Sequence, residues 1–313
     1  MPRVSRSKVG TVLKVHIKFV SMAPKTLIKY KLAVRRFLWW RKSAGFPYPS
    51  AVTDFDFQVS EFINHLYLDD SPLGWATDCI SGLKRLFPRC RRHLDTASLY
   101  HANWVKATKR VKALPLTPEL VRGIAAFSLV QGNADFALTV LIMFAGLLRI
   151  GETLQLRLGH FNCLRANCCI ISLWESKGAK RSGEPEVVFL RDPSLIRVIL
   201  SLKAKAPADT FLFGESYRTF SSLLVRAAAF YGLTHPNLTP HSLRRGGATW
   251  HFSLYHSYDR TMLQGRWKQQ QTAKGYIDEA LAELDRASLP EAGVLRLKKA
   301  EALFVCLFHK HFL

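Results

Sequence analysis

The chain is poor in acidic residues, and the shortage is concentrated in two stretches. Of its 313 residues, 45 are Lys or Arg and only 23 are Asp or Glu, which gives a formal net charge of +22 at pH 7. No acidic residue precedes Asp54, and Asp95 is the only one between Lys84 and Lys112. A solvated basic face is one interpretation. Because so many uncompensated cations repel one another, a polyanionic partner such as nucleic acid is favoured, with an anionic membrane surface as the weaker alternative.

Long hydrophobic runs and metal-type cysteine spacings are also missing. The longest uncharged run, residues 136–148, is shorter than the roughly 20 residues of a transmembrane helix, so it predicts a buried helix. The six cysteines lack the paired short spacings of a zinc site, and Cys79, Cys90 and His93 have no suitable fourth ligand. No apolar segment with a cleavage site follows the basic N-terminus, so no signal peptide is predicted. We therefore expect reduced thiols in an intracellular protein.

What is present indicates a folded, mostly helical chain. The apolar fraction of 48% and the length of 313 residues fit two ordinary domains. The segment Leu114–Leu120 has prolines on both sides of Thr117 and predicts a joint, after which a new helix begins with Pro118 in its first turn. Between Cys168 and Leu190, two β-rich runs flank a polar, glycine-containing turn, which predicts a hairpin.

These signals divide the chain into segments. We expect a basic N-terminal arm of residues 1–19, a helical domain of residues 20–112, a linker of residues 113–118, a second domain of residues 119–290 and a C-terminal tail of residues 291–313. The tail ends in the apolar sequence "LFVCLFHKHFL", which is too short to span a membrane. We expect the tail to dock on protein instead.

Two stretches place cations where chemistry is possible. In "AGLLRIGETLQL", Arg149 follows an apolar segment and Glu152 stands three residues later on the same helical face. A charge in this context must be paired or hold a ligand, so a structural ion pair and a ligand-binding arginine both stay open. The predicted hairpin turn, "ESKGAKRSGE", holds Lys177 and Lys180, either of which could deliver a proton or a positive charge to a site. A solvated turn is the alternative.

A third stretch, "TPHSLRRGGATW", combines residues that suit an anion. Pro240 and His241 begin a predicted helix, and Arg244 lies one turn later on the same face. A histidine, an arginine and a helix N-terminus together can hold an oxyanion such as phosphate, and Gly246 and Gly247 permit close backbone approach. A capped basic helix is the alternative.

The fourth stretch, "LQGRWKQQQTAKGYIDEALAEL", contains a possible nucleophile. Tyr276 stands just before an amphipathic segment and nine positions after Trp267. A tyrosine normally serves packing. Since its free pKa is about 10, it attacks a phosphate only where cations stabilise the phenolate and the developing charge.

Read together and in order, the four stretches resemble the boxes of the tyrosine recombinases, the phage-integrase type of DNA breaking-and-rejoining enzyme. "GLLRIGETLQL" looks like the first arginine box, "SKGAKR" like the lysine hairpin, "HSLRRGGAT" like the His-x-x-Arg box and "GRW…GY" like the segment that ends at the nucleophile. The resemblance covers about residues 20–290, and a tryptophan stands where histidine is commoner. It implies these catalytic residues: Arg149, Lys177, His241, Arg244, Trp267 and Tyr276.

The resemblance implies a role for each residue. Arg149 and Arg244 would clamp the non-bridging oxygens of the scissile phosphate, since a guanidinium offers both charge and two parallel donors. Tyr276 would attack the phosphorus and form a 3′-phosphotyrosyl link. Lys177 would protonate the 5′ oxygen that leaves.

The remaining members would support this chemistry. His241 and Trp267 would hydrogen-bond the phosphate, and His241 could also assist proton transfer from the nucleophile. Glu152 would orient its neighbours. Because fixed cations perform the charge stabilisation, the resemblance implies neither a metal nor any other cofactor.

The implied fold class is mainly α with a small β-hairpin or sheet in the catalytic domain (α+β). A helical core-binding domain and a tyrosine-recombinase catalytic domain would form a two-domain clamp on double-stranded DNA. A homotetramer on paired recombination sites is implied, without a membrane, located with the DNA in a nucleus or in a bacterial cytoplasm and nucleoid. The tail would dock on a neighbouring protomer. The expected DNA-binding residues are Lys84, Arg85, Arg89, Arg91, Arg92, Lys106, Lys109 and Arg110.

Two other functions stay open. A decayed DNA-binding protein of mobile-element origin would keep the charge and lose the chemistry, although drift would then be expected to strike at least one of these positions. A type IB topoisomerase would share the chemistry and relax DNA without exchanging partners. A metal nuclease is excluded because the sequence offers no carboxylate cluster.

Overall fold

The structure is a computed structural model that describes residues 22–108, 112–174, 176, 178–179 and 183–312. It divides into two compact units, with the boundary between residues 110 and 111. The predicted N-terminal arm lies outside the described residues. Within the described part of the chain, no helix is both long and apolar enough to cross a membrane.

The first unit is helical. Its helices are α1 Pro24–Ser43, α2 Val52–Leu68, α3 Leu73–Leu86 and α4 Asp95–Ala107, with a 3-10 helix at Pro88–Arg92 between the last two. The core of this unit includes Val34, Phe37, Phe62 and Leu83, which are all buried. The buried carboxylate of Asp56 accepts hydrogen bonds from the backbone N–H groups of Thr96 and Ala97, at 2.9 and 3.0 Å, and so joins α2 to the first turn of α4.

The second unit surrounds a larger apolar core with helices and one small sheet. Pro118 occupies the first turn of its first helix, as predicted, and the Thr117 hydroxyl accepts from the backbone N–H of Leu120 at 3.4 Å. The uncharged run 136–148 forms a buried helix and the turn after it. The helices are α5 Pro118–Val130, α6 Ala134–Ala145, α7 Ile150–Thr153, α8 Pro193–Lys205, α9 Tyr217–Phe230, α10 Pro240–Tyr255, α11 Tyr258–Gly265, α12 Gln270–Tyr276, α13 Glu279–Ala287 and α14 Glu291–Phe312.

The sheet has three antiparallel strands in the order β1 Phe161–Arg165, β2 Cys168–Leu173 and β3 Glu186–Leu190. The predicted hairpin is β2–β3, in which Leu173 pairs with Glu186 at the turn end. The strand β1 was not predicted. The structure thus confirms the mainly helical α+β class and adds one strand at the sheet edge.

Helix α10, which carries two predicted site residues, packs closely on its neighbours. A Cβ atom at Gly246 would lie 1.9 Å from the carbonyl oxygen of Leu116, and one at Gly247 would lie 2.3 Å from that of Phe144. The two glycines therefore permit the close approach of neighbouring backbone, as the sequence indicated. The N–H of Leu116 also donates to the Ser242 carbonyl at 3.3 Å.

The C-terminal tail forms helix α14, which packs along α5 of its own chain. Leu297, Phe308 and Phe312 on this helix are buried in the core of the second unit. Leu295 and Val305 on the same helix are exposed. One face of the tail thus contributes to its own unit, and docking on a neighbouring protomer remains a prediction for the other face.

Candidate active site

The predicted catalytic residues that the structure describes come from four places in the second unit. Arg149 lies in the turn between α6 and α7, and its backbone N–H donates to the Glu152 carboxylate at 2.8 Å. His241 and Arg244 lie in the first turns of α10. Trp267 follows α11, and Tyr276 is the last residue of α12.

Arg244 is the largest fully buried side chain of the protein's described part, with 0% exposure. Its two terminal nitrogens donate to the carbonyl oxygens of Leu147 and Gly265, the second at 2.7 Å, while its Nε has no hydrogen-bond partner among the described residues. Burial, followed by the nearby charges of Arg149 and Arg266, lowers the pKa of Arg244 to about 10. Arg244 therefore stays a cation at neutral pH, fixed at the centre of the site.

Two aromatic side chains lie against this cation, and a third, His241, lies beside one of them. The Tyr276 ring centroid lies 4.6 Å from that of Trp267 and 5.1 Å from the His241 ring. The Arg244 guanidinium carbon lies 5.4 Å from the Tyr276 ring and 4.9 Å from the Trp267 ring. The predicted nucleophile thus rests beside the cation that would stabilise its phenolate form.

His241 faces solvent in part, and its surroundings are cationic. Partial burial, followed by the charges of Arg244, Arg245 and Arg149, lowers the pKa of His241 below its ordinary value of 6.5. The imidazole is therefore neutral at pH 7 and can accept a proton or a hydrogen bond.

The segment around Tyr276 is tied to α10 by polar contacts that sequence reasoning missed. Arg245, buried beside Arg244, donates to the Asp278 carboxylate at 2.6 Å and to the Ala113 carbonyl at 2.6 Å. The Thr249 hydroxyl lies 3.4 Å from the Tyr276 carbonyl and accepts from the Asp278 N–H at 3.1 Å. These contacts fix the backbone on which the nucleophile stands.

Arg149 and Glu152 form the expected ion pair, and a second arginine joins them. Arg149 Nη1 lies 2.6 Å from Glu152 Oε1, and Arg266 Nη2 lies 2.6 Å from Glu152 Oε2. Glu186, the first residue of β3, lies 3.5 Å from Arg266 Nε and 3.9 Å from Arg149 Nη1. Sequence reasoning missed Arg266 and Glu186, although Arg266 stands directly beside Trp267 in the fourth stretch.

The lysine turn is described only in part. Lys177 and Lys180 lie outside the described residues, so their proposed roles rest on the sequence. A Cβ atom at Gly178 would lie 1.9 Å from Glu186 Oε1. The backbone at Gly178 therefore lies against the carboxylate that is paired with Arg149 and Arg266.

The predicted DNA-binding residues differ in exposure. Arg89, Arg91, Arg92 and Lys106 are exposed in the first unit. Lys84 and Arg85 are half-buried, and Lys84 donates to the Ser98 hydroxyl at 3.0 Å. The positions 109 and 110 lie outside the described residues. The exposed members give the 3-10 helix Pro88–Arg92 three exposed arginines and the last turn of α4 one exposed lysine.

The donor atoms of the site belong to arginines and aromatic side chains and are not arranged as metal ligands. Across the described ranges, no cluster of three or more His, Cys, Asp or Glu side chains is placed to hold a metal ion. The six cysteines are free. What the site does bring together, a group of arginines, a neutral histidine and a phenol, suits chemistry on an oxyanion.

Solved structures of several recombinases share the architecture described above. XerH site-specific recombinase bound to palindromic difH substrate matches 84% of this chain and 78% of its own, with 16% identity and a TM-score of 0.56. A lambda integrase dimer bound to a COC′ core site matches 85% of this chain and 73% of its own, with 18% identity and a TM-score of 0.51.

The Tn1549 transposon integrase in complex with circular intermediate DNA matches 84% of this chain and 98% of its own, with 14% identity and a TM-score of 0.53. The chain has the tyrosine recombinase fold. This finding confirms the resemblance seen in the motifs at the level of fold. No protein-family model matches the sequence, and no curated protein matches it. With the tyrosine recombinase fold established, the position of Tyr276 beside the arginines is the feature that bears on chemistry.

Proposed function

We propose that this protein is a site-specific DNA recombinase that breaks and rejoins DNA through Tyr276. The observation that carries the proposal is the placement of a phenol against a buried arginine, between a neutral histidine and a tryptophan. The tyrosine recombinase fold supports it, as does the nature of the three similar proteins, which are recombinases and integrases bound to DNA. The net charge of +22 supports a DNA partner.

The proposed reaction is a transfer of the phosphoryl group between two oxygens. The Tyr276 oxygen forms a bond to the scissile phosphorus as the bond from phosphorus to the 5′ oxygen breaks, and the phenol proton passes to His241 or to water. Lys177 supplies the proton that the leaving oxygen takes up. Rejoining reverses these steps with a 5′ hydroxyl from the partner duplex, so no external energy source is needed.

Arg149 and Arg244 stabilise the charge on the phosphate in different ways. Arg149, whose side chain is 36% exposed, offers to a non-bridging oxygen of the phosphate those guanidinium donors that have no partner among the described residues. Arg244 supplies a fixed positive charge and its unpartnered Nε. Because the Tyr276 and Trp267 rings lie against the Arg244 guanidinium, we expect the Tyr276 ring to move as the phosphate binds.

A trapped covalent adduct tests this function. The purified protein is mixed with a pool of nicked duplexes of varied sequence. In these duplexes the fragment that carries the released 5′ hydroxyl diffuses away, so rejoining is prevented. The DNA that stays attached to the protein after denaturation is then sequenced. The parent protein should form an adduct, and Tyr276→Phe should form none, because it lacks the attacking oxygen. Tyr217→Phe, at a position exposed in the same unit, is the matched control and should react like the parent.

The outcomes separate the alternatives. Steep salt-dependent binding without an adduct would favour a DNA-binding protein without chemistry. If the protein forms an adduct and relaxes supercoiled plasmid but never joins two duplexes, a topoisomerase would be favoured. Strand exchange between two copies of the recovered site supports a recombinase, and sedimentation of that complex would test the proposed homotetramer.

A further inference from the structure

A buried arginine next to Trp267 is not used by any of the roles assigned above. The side chain of Arg266 is 7% exposed, and its Nη1 has no hydrogen-bond partner within the described residues. The Arg266 backbone has φ of 58°, in the left-handed region, where it ends helix α11. Glycine is the residue that this backbone position favours, so the arginine side chain must contribute something that glycine cannot.

At this left-handed turn, the consecutive residues Gly265, Arg266 and Trp267 each contact a different part of the site. The carbonyl of Gly265 accepts from Arg244 at 2.7 Å. The side chain of Arg266 binds the Glu152 carboxylate, and Trp267 stacks on Tyr276 at 4.6 Å. This turn thus connects the nucleophile, the central arginine and the first arginine box within three residues.

The side chain of Arg266 completes a ring of alternating charges. Glu152 bridges Arg149 and Arg266, with 2.6 Å to each, and Glu186 lies 3.9 and 3.5 Å from the same two arginines. Without Arg266, Glu152 would lose one of its two arginine partners and Glu186 the nearer of its two, so neither carboxylate would be held in place against Arg149. With Arg266 present, the ring holds two cations and two anions, and the contacts of Arg149 within it are made by its Nη1 alone.

We propose that Arg266 is a positioning residue that holds Glu152 and Glu186 so that Arg149 presents its free donors to the scissile phosphate. The Glu186 carboxylate also lies against the backbone at Gly178. The inference rests on the proposed recombinase function for its catalytic consequence. Its geometric part, that Arg266 restrains Arg149, is independent of that function.

The first test uses substitutions at position 266. Arg266→Gly suits the left-handed backbone, and Arg266→Lys keeps the charge with fewer donors. We expect Arg266→Gly to lower single-turnover adduct formation about a hundredfold with little change in DNA affinity, because a misplaced catalytic group costs rate more than binding. Arg266→Lys should recover part of the loss. Arg122→Gln, which removes a 2.8 Å ion pair to Glu301 away from the site, should match the parent rate.

A double-mutant cycle separates positioning from general destabilisation. In an Arg149→Ala background, Arg266→Gly should cause little further loss of rate, because there is no Arg149 left to position. Parental cleavage by Arg266→Gly, or fully multiplicative losses in the cycle, would overturn the proposal. Thermal unfolding of each variant confirms that the compared proteins are folded.

A second measurement is independent of cleavage. In ¹⁵N-arginine-labelled protein, the Arg149 guanidinium resonance, assigned with Arg149→Lys, should show restricted rotation in the parent and in Arg122→Gln. It should show free rotation in Arg266→Gly. If the parent forms no adduct but this contrast is seen, the recombinase function fails and the positioning role stands. If Arg149 is equally restricted in Arg266→Gly, the positioning role is wrong whatever the activity.

Discussion

Arg244 shows at the scale of one residue why this site is costly to build. A buried guanidinium needs partners for its donors, and this one has two backbone carbonyls and no carboxylate in direct contact among the described residues. Its burial beside Arg149 and Arg266 disfavours the charge, which is the direction of its pKa shift. Such an arrangement gains most when an anion arrives, which is the condition that a phosphate-transfer site requires.

His241 gives a prediction for pH. Because its pKa lies below 6.5, the neutral imidazole persists at acidities that protonate a free histidine. If it accepts the nucleophile's proton, adduct formation should fall to half of its plateau at a pH below 6.5. His241→Asn should lower the plateau about a hundredfold and remove this acid limb.

The measurement is single-turnover adduct formation between pH 5 and 8, with unfolding midpoints recorded at each pH. The stability of the folded state should change with pH in the same direction as the rate. A histidine whose folded pKa is lowered binds its proton more readily when unfolded, so the folded state loses stability as pH falls through 6.5. A rate that halves above pH 6.5 in the parent would contradict His241 as the proton acceptor.

At the scale of elements, the close packing of α10 decides whether the site exists at all. Gly246 has no room for a Cβ, since the obstacle is the backbone of Leu116 and not a flexible side chain. We expect Gly246→Ala to lower the free energy of unfolding of the second unit by about 2 kcal/mol or more, as overpacking does. Gly151→Ala, where a Cβ meets nothing within 4 Å, should stay within about 0.5 kcal/mol of the parent.

Urea unfolding followed by tryptophan fluorescence measures both variants. Equal stability of Gly246→Ala and Gly151→Ala would contradict the packing shown for α10. Adduct formation by Gly246→Ala at a temperature where it is folded provides a second readout, because a displaced α10 moves His241 and Arg244 together.

The elements also show what the sequence could and could not predict. The hairpin β2–β3 was predictable because two β-rich runs flank a polar turn, and α5 because a proline follows a capping threonine. The strand β1 was not, since its five residues, "FNCLR", alternate weakly and it pairs only at the sheet edge.

In the site, too, contacts between residues close in sequence could be predicted, and contacts between distant residues could not. His241 and Arg244 share one helical turn, so their proximity follows from spacing alone. The ion pair of Arg266 with Glu152 joins positions 114 residues apart, and nothing local marks it. Such contacts depend on how α7, β3 and α11 meet, which is decided by tertiary packing.

At the scale of the whole molecule, charge is the property that the sequence states most directly. A net charge of +22 ensures attraction to any polyanion, but it does not say which cations touch DNA. In the first unit, the exposure of the side chains reduces the number of candidate DNA contacts. Arg91 and Arg92 are exposed on a short 3-10 helix, and no acidic residue is closer to them in sequence than Asp95.

Salt dependence distinguishes contact residues from general charge. Each phosphate contact adds about 0.9 to the slope of log affinity against log salt concentration. We expect the double variant Arg91→Gln, Arg92→Gln to reduce that slope by about 1.8 on random duplex. The variant Lys298→Gln, Lys299→Gln removes the same charge from exposed positions of α14 and should leave the slope nearly unchanged.

Fluorescence anisotropy with labelled duplex at a series of salt concentrations provides the slopes. Equal reductions in the two variants would mean that the net charge alone sets the affinity and that residues 91 and 92 touch no phosphate. A reduction confined to the first-unit variant would place the DNA backbone against the 3-10 helix. Since affinity for random duplex requires no chemistry, this result holds whether or not Tyr276 forms an adduct, and it separates the binding surface from the catalytic site.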